Sequence, residues 1–348
     1  MIVPGLLARL ACPRDRAPLR EARARTLACE HGHEYPVVGG VPVLLVDDAQ
    51  QTSGVAGQSL AAAARWAGAG ADPPPDDLCL ESLGASAAEK AQALRLADRG
   101  GFVDPVVSVL IAATNGLAYK TLVGALREYP IPDIRLAPAA GAALLDVGCG
   151  WGRWSISAAR KGYRVVGIDP SLAAVMAARR VARQLGVDAE YLCADARYLP
   201  FVAGAFDVVF SYSVLQHFSK AAAATAIAEA ARVLRSRGRC LAQMANASGV
   251  RSFYHRLRRG FAEGSGFDVR YWRLAELEAA FGREFSEVET SIHCFFGLGL
   301  EPSDRAIVPR HARFVIQASE RLRALGATMP SLKHLADSVY VSATKQGL

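Results

Sequence analysis

No stretch of this 348-residue sequence approaches the roughly 20 consecutive apolar residues that a helix needs to cross a membrane. The longest candidate, residues 106–113, predicts a buried helix instead. The apolar opening, residues 1–7, is shorter than the core of a secretory leader, and Arg9, Arg14 and Arg16 follow it directly. The sequence therefore predicts neither a membrane span nor a leader of this kind.

A disulfide framework and a strong excess of one charge are missing as well. The seven cysteines are odd in number and irregularly spaced, unlike those of small secreted domains. The net charge of +7 is too modest to choose among an anionic substrate, RNA and a solvated surface. With 51% hydrophobic residues, the chain has material for one large and one small globular domain. We expect a cytoplasmic protein with reduced thiols.

The most informative pattern that is present lies between residues 144 and 169. Residues 144–152, LLDVGCGWG, combine an apolar run with a glycine turn, and residues 165–169, VVGID, form a second apolar run that ends in Asp169. This order predicts a strand, a turn, a helix and a second strand whose acidic end can accept hydrogen bonds from both ribose hydroxyls of a nucleoside. The glycines that let the backbone approach the ligand are Gly148, Gly150 and Gly152.

The spacing of these glycines indicates which cofactor is bound. Dinucleotide sites usually contain G-x-G-x-x-G, whereas this turn reads D-x-G-x-G-x-G and starts with Asp146, which suits a cationic ligand. From about residue 144 to residue 281 the chain resembles the class I S-adenosylmethionine-dependent methyltransferases. The resemblance implies that Asp146 and the glycines face the methionine end of S-adenosylmethionine, and that Asp169 holds its ribose.

Two further segments extend the resemblance. Residues 191–196, YLCADA, predict a third strand, and Asp195 stands where the family places its adenine-binding acid. Residues 206–211 predict a fourth strand, which leads into residues 212–218, YSVLQHF, a segment similar to the loop between cofactor and substrate in small-molecule methyltransferases. The remaining cofactor contacts that we expect are Ala196, Ser211 and Gln216.

The resemblance implies an α/β fold with a Rossmann-like, doubly wound sheet of seven strands. Residues 288–294 would form the sixth strand and residues 338–344 an antiparallel last strand. The range 141–348 would then hold the methyltransferase core, with an insertion near 297–335 packed over the substrate side. Before it we expect a flexible linker over 49–86, rich in Ala, Gly, Pro and Asp, and a helical lid over 87–140.

Methyl transfer is an in-line displacement, so the enzyme must align the acceptor and exclude water. A general base is needed only when the acceptor must lose a proton. His217 is the first candidate, because it follows the fourth strand and titrates near neutrality, although it could instead cap a helix or line the pocket. Tyr212 is the second candidate. Possible substrate contacts are Tyr119, Lys120, Arg251, Tyr254, Tyr271 and Trp272.

Residues 1–48 predict a separate β-ribbon module. The spacing Cys12-x-x-Asp15 with Cys29-x-x-x-His33 resembles the zinc ribbons attached to methyltransferases, some of which modify ribosomal RNA, although that pattern has Cys at the position of Asp15. Zinc accepts carboxylate oxygen as well as sulfur and nitrogen, so these four residues could close a tetrahedral structural site. A metal-free ribbon held by apolar side chains is the other interpretation.

Three functions are compatible with these patterns. The first is a methyltransferase that acts on a small molecule such as a sugar, a lipid precursor or a natural-product intermediate, and residues 211–218 favour it. The alternative is an RNA methyltransferase that uses the N-terminal ribbon to recognise RNA. The third is a non-catalytic adaptor, against which the intact acids at 146, 169 and 195 argue.

Overall fold

The structure, a computed structural model, describes residues 2–49, 54–74, 76–114, 119, 122–297 and 299–347, with side chains left out at 112–114. The helices are α1 Pro4–Leu7, α2 Val55–Ala69, α3 Ala87–Arg99, α4 Pro105–Thr114, α5 Arg153–Arg160, α6 Leu172–Gln184, α7 Lys220–Val233, α8 Val250–Arg258, α9 Leu274–Phe281 and α10 Arg310–Leu325. The strands are β1 Arg20–Arg23, β2 Thr26–Ala28, β3 Glu34–Val38, β4 Val41–Leu44, β5 Ala143–Val147, β6 Arg164–Asp169, β7 Glu190–Ala194, β8 Phe206–Tyr212, β9 Leu234–Ala245, β10 Glu287–Cys294 and β11 Ser338–Thr344.

The centre of the fold is a mixed sheet in which seven strands follow the order β7-β6-β5-β8-β9-β11-β10. The first five of these strands are parallel, and β11 runs antiparallel to both β9 and β10. All residues of β5 are buried, as a continuous apolar strand requires when helices cover both faces of a parallel sheet. The expected α/β fold is confirmed.

Within the described residues the sheet has eleven strands, so the expected number of seven is wrong. The ribbon strands β1 to β4 extend the sheet, because β4 pairs in parallel with β7 through Val43 opposite Cys193 and Leu44 opposite Ala194. This pairing satisfies backbone groups at what would otherwise be an exposed edge. The strands β1 to β4 are therefore continuous with the core sheet, whereas a separate N-terminal module was expected.

Residues 49–86 differ from the expected flexible linker, because their described part contains the 15-residue helix α2. The alanines that suggested a linker are also the strongest helix formers, and Ala62 and Ala63 are buried. Ser59 fixes α2 to the core: its hydroxyl donates to the Pro170 carbonyl at 2.7 Å and accepts from the Leu172 N–H at 3.0 Å. This segment thus packs beside the end of β6.

Residues 87–140 begin with the expected helices, α3 and α4. Val106 and Val107 of α4 are buried in one cluster with Trp151 of the glycine turn and Ala177 of α6. The helices before the first core strand therefore pack against the segment that follows β5. Among the described helices, none combines the length and the apolar character needed to cross a membrane.

Candidate cofactor site and metal cluster

The turn after β5 adopts a backbone conformation that favours glycine. Gly148 and Gly150 have positive φ angles of +74° and +52°. A Cβ atom on Gly148 would overlap the side chain of Val214 in the turn after β8, whereas a Cβ atom on Gly150 would meet no atom within 4 Å. Close packing therefore requires Gly148, and Gly150 borders open space that a ligand can approach. Gly152, with φ of +84°, completes the turn before α5.

Two carboxylates, the buried Asp146 and the half-buried Asp169, lie at the carboxyl ends of β5 and β6. Asp146 is 1% exposed and accepts a hydrogen bond from Ser155 Oγ at 2.6 Å. Asp169 accepts from the backbone N–H groups of Gly150 at 3.1 Å and Ser171 at 2.9 Å. Burial raises the pKa of Asp146 to about 7 and the pKa of Asp169 to about 6, and the charge of Asp169 adds to the first shift. A cationic ligand or additional hydrogen-bond donors would stabilise the ionised form of both acids.

The third acid, Asp195, directly follows β7, the next strand of the sheet. Its Oδ1 accepts from Arg197 Nε at 3.0 Å and from the Arg197 backbone N–H at 2.8 Å, and its Oδ2 pairs with Arg197 Nη2 at 2.5 Å. Ala196, between these two residues, is buried. The strand order β5-β6-β7 therefore aligns Asp146, Asp169 and Asp195 at the end of the sheet where the parallel strands have their carboxyl ends.

Two other predicted cofactor contacts, Ser211 and Gln216, are buried and hold polar atoms without a hydrogen-bond partner in the described structure. These atoms are Ser211 Oγ and Gln216 Oε1. Ser211 pairs with Val147 at the end of β5, and Gln216 Nε2 donates to Ser213 Oγ at 2.7 Å. A buried polar atom without a partner costs about 1–3 kcal/mol, which a bound molecule or water would offset. Both residues therefore fit a site for a polar ligand.

His217 ends the 3₁₀ turn Leu215–His217 beyond β8. Its Nδ1 lies 2.8 Å from the Phe267 carbonyl oxygen, and the two rings stack with centroids 4.1 Å apart. Because a carbonyl oxygen only accepts, Nδ1 carries the proton and Nε2 holds the lone pair in the neutral ring. Burial lowers the pKa of His217, so the imidazole is neutral at neutral pH. This is the protonation state that a general base needs.

Tyr212 belongs to a buried polar network that the sequence did not indicate. Its hydroxyl donates to Glu301 Oε1 at 2.8 Å, and Glu301 Oε1 lies 2.7 Å from His293 Nε2. Burial raises the pKa of Tyr212 well above its usual value, and the neighbouring Glu301 adds to the shift. Tyr212 is therefore a protonated hydrogen-bond donor at neutral pH.

The ion pair within this network is strongly coupled. Burial alone would lower the pKa of His293, but Cys294 and Glu301 raise it to about 9. Burial alone would raise the pKa of Glu301, but the charge of His293 lowers it to about 2. The pair is thus imidazolium and carboxylate at neutral pH. No sequence motif indicates these two residues, since His293 lies within strand β10 and Glu301 lies in the segment near 297–335.

A second buried ion pair connects the insertion to the glycine turn. Arg153 Nη2 lies 2.6 Å from Asp304 Oδ1, and Arg153 Nε donates to the Pro130 carbonyl at 2.9 Å. Tyr119, predicted to contact substrate, is buried and donates its hydroxyl hydrogen to Asp304. Tyr119 therefore has a partner within the protein in this structure.

The other predicted substrate contacts differ in their burial. Lys120 lies outside the described residues. Trp272 is 3% exposed and packs in the main hydrophobic core. Its backbone forms an isolated β-bridge with Asn246, which directly follows β9. Arg251 and Tyr254 are exposed on α8, and Tyr271 is half-buried.

The four predicted metal ligands, Cys12, Asp15, Cys29 and His33, do converge, with all their ligand atoms within 4.8 Å of one another. His33 Nδ1 lies 3.4 Å from Cys12 Sγ and 3.5 Å from Cys29 Sγ, and Cys29 Sγ lies 3.4 Å from Asp15 Oδ2. A tetrahedral zinc site with ordinary bond lengths has ligand-to-ligand edges of roughly 3.3–3.8 Å. His31 also contacts Asp15, at 2.9 Å. These donor types suit zinc, while His33 Nδ1 lies 2.9 Å from Asp15 Oδ2, closer than such an edge.

Comparison with known proteins covers the central part of this site. Residues 144–238 match the family model described as a methyltransferase domain. The matched residues begin in β5, end in β9, and include Asp146, Asp169, Asp195 and His217.

Similar proteins cover only part of the chain. A ubiquinone biosynthesis O-methyltransferase of Agrobacterium fabrum is 39% identical over 80 residues, which are 23% of this chain and 32% of that protein. The corresponding protein of Caulobacter vibrioides is 42% identical over 94 residues, 27% of this chain and 37% of its own length. The chain thus spans about a third of the curated relatives that it matches. A solved methyltransferase from Methanosarcina mazei shows 18% identity and a TM-score of 0.44, covering 60% of this chain and 95% of its own.

Proposed function

We propose that the chain is an S-adenosylmethionine-dependent methyltransferase that methylates a small-molecule acceptor. The observation that carries the proposal is the alignment of three acids, Asp146, Asp169 and Asp195, at the carboxyl ends of neighbouring parallel strands, beside an open glycine turn. The match of residues 144–238 to a methyltransferase domain supports it. Because the curated relatives are named O-methyltransferases, we extend the proposal to an oxygen atom as the acceptor.

The residues present fit this cofactor. Asp169 would accept hydrogen bonds from ribose hydroxyls, and Asp146 would attract the cationic methionine end. Asp195 would contact the adenine, as the resemblance implies. When bound, S-adenosylmethionine supplies an electrophilic methyl group on a sulfonium ion. Ser211 Oγ and Gln216 Oε1, buried and without partners in the described structure, would then gain hydrogen-bond partners.

His217 is the proposed general base. An oxygen acceptor must lose its proton as the new bond to carbon forms, and Nε2 of the neutral imidazole can take it. The hydrogen bond to the Phe267 carbonyl and the stacked Phe267 ring fix the orientation of His217. Tyr212 does not compete for this role, because its hydroxyl remains protonated and donates to Glu301.

Titration calorimetry with S-adenosylmethionine tests the cofactor site. We expect Asp169→Ala to weaken the affinity by at least about tenfold, because two ribose hydrogen bonds to a charged acceptor are lost. Asp188→Ala, which removes an exposed carboxylate outside the site, is the control and should bind like the wild type. Equal affinities for the Asp169 variant and the wild type, with both proteins folded by circular dichroism, would contradict the assignment.

We also propose that Cys12, Asp15, Cys29 and His33 hold a structural zinc ion. Four protein ligands leave no open position, so the metal would stabilise the ribbon instead of taking part in chemistry. We expect about one zinc per purified wild-type chain by mass spectrometry and a marked loss in Cys29→Ser. Cys79→Ser, an equally buried cysteine outside the cluster, should retain the metal. A wild-type protein purified with added zinc that still lacks it would refute the proposal.

A further inference from the structure

Helix α8 carries its apolar side chains on the outside of the protein. Val250, Phe253, Tyr254 and Leu257 recur at intervals of three and four residues, and the ring of Phe261, in the turn after the helix, lies beside the Phe253 ring and extends this stripe. These five side chains are between 48% and 55% exposed. A surface helix normally turns such a stripe toward the core. Helix α8 therefore has the reverse orientation.

Hydrogen bonds on the inner side hold α8 in this orientation. Ser252 is buried; its backbone N–H donates to Asp337 Oδ1 at 2.7 Å and its hydroxyl donates to the Asp337 carbonyl at 3.3 Å. Arg251 Nη1 donates to the Phe296 carbonyl at 3.0 Å. Rolling the helix to bury its stripe would break these bonds and bury arginines. The exposed stripe is thus part of the folded structure.

The apolar surface extends beyond the helix. The rings of Phe253 and Phe261 lie 5.7 Å apart, and Phe267 is 62% exposed. Leu335 adjoins the start of α8, because the Val250 N–H donates to its carbonyl, and its side chain is also exposed. We call these residues and the five of the stripe the α8 face. Contiguous exposed apolar patches on soluble proteins mark surfaces that bind something.

The charges around the α8 face indicate the kind of partner. Residues 250–273 contain six arginines and only two acids. Arg258 lies over the Tyr254 ring at 5.9 Å, and Arg256 lies over the Phe261 ring at 5.2 Å. Apolar and aromatic side chains bordered by guanidinium groups complement a bilayer surface, where the rings enter the headgroup boundary and the arginines meet phosphates. We propose that the α8 face docks the protein on the surface of an anionic lipid bilayer.

Docking there would bring the candidate acceptor side close to lipid. The Phe267 ring stacks on His217. Arg270 donates from its backbone N–H to the Gln216 carbonyl at 2.7 Å and from Nη1 to the His217 carbonyl at 2.6 Å. If the proposed function holds, the acceptor is an apolar molecule taken from the bilayer surface. The docking itself does not depend on that function.

Co-sedimentation with lipid vesicles tests the proposal on the full chain. We expect the wild type to bind vesicles in which roughly one third of the phosphatidylcholine is replaced by phosphatidylglycerol, and to bind pure phosphatidylcholine much less. Added salt should weaken the binding. Phe253→Ser combined with Leu257→Ser should lower the partition coefficient by about tenfold or more. Phe314→Ser, which removes an exposed aromatic side chain on α10, is the matched control and should bind like the wild type.

Thermal melting should show that all variants are folded. Calorimetry on the same samples measures the affinity for S-adenosylmethionine and so tests the proposed function separately from the docking. Absence of wild-type binding to the anionic vesicles would overturn the proposal. So would equal binding by the wild type and the double variant. A wild-type dimer in solution that the double variant converts to a monomer would also overturn it, because a second copy would then cover the α8 face.

Discussion

The carboxyl group of Asp146 provides a test of how ligand binding and stability oppose each other. Its pKa is raised by burial to about 7, so the folded protein binds this proton more tightly than the unfolded chain. The resulting contribution to stability is present at low pH and is lost as the pH rises through about 7. Between pH 5.5 and pH 8.5 the loss amounts to about 2 kcal/mol, at 1.36 kcal/mol per pKa unit.

Asp146→Asn removes this titration and keeps an oxygen that can accept the hydrogen bond from Ser155 Oγ. We expect urea unfolding of the wild type to show a fall of about 2 kcal/mol between these pH values relative to the variant. The variant should be the more stable of the two at pH 8.5 and should bind S-adenosylmethionine weakly, because it lacks the anionic charge. Asp188→Asn, at an exposed position, is the control and should have the pH dependence of the wild type. Parallel pH profiles for the wild type and Asp146→Asn would refute the reasoning.

Two further predictions concern the turn and the loop after β8. Gly148→Ala should lower the melting temperature, because the added Cβ would overlap Val214 at a position with a positive φ angle. Gly150→Ala should lower the melting temperature by a smaller amount and should weaken S-adenosylmethionine binding. Calorimetry and thermal melting on the pair separate these effects, and equal melting losses would contradict the packing argument. His217→Ala should lower kcat by about 10²-fold or more with S-adenosylmethionine affinity unchanged. Wild-type turnover would exclude His217 as the base.

The alignment of Asp146, Asp169 and Asp195 could be predicted from the sequence because its signals are local. A glycine turn and the acid at the end of each strand are read within a few residues, and the parallel order β7-β6-β5 then brings the acids to one edge. The four ribbon ligands converged for the same reason, since each pair lies on one short turn. Acidic strand ends and closely spaced ligands depend little on distant packing.

The buried network could not be predicted in this way. Arg153 and Asp304 are separated by 151 residues, and neither belongs to a spaced pattern. The pairing of β4 with β7 is equally long-range, because an edge strand has no sequence signal for its partner. The linker expected over 49–86 was wrong for a different reason. An alanine-rich composition is compatible with both a linker and a helix, and the burial of Ala62 and Ala63 against the core decides between them.

The network also explains how the insertion is held relative to the cofactor turn. Arg153 opens α5 directly after Gly152, and its partner Asp304 lies in the insertion; Tyr212 at the end of β8 donates to Glu301, three residues before Asp304. Removing one member of such a buried ion pair costs about 3–5 kcal/mol, because the other charge is left unpaired. The insertion therefore cannot move away from the glycine turn without breaking this pair. If the proposed function holds, we expect an acceptor to enter beside the 250–270 segment, which contacts the Leu215–His217 turn through Phe267 and Arg270 and is the more exposed boundary.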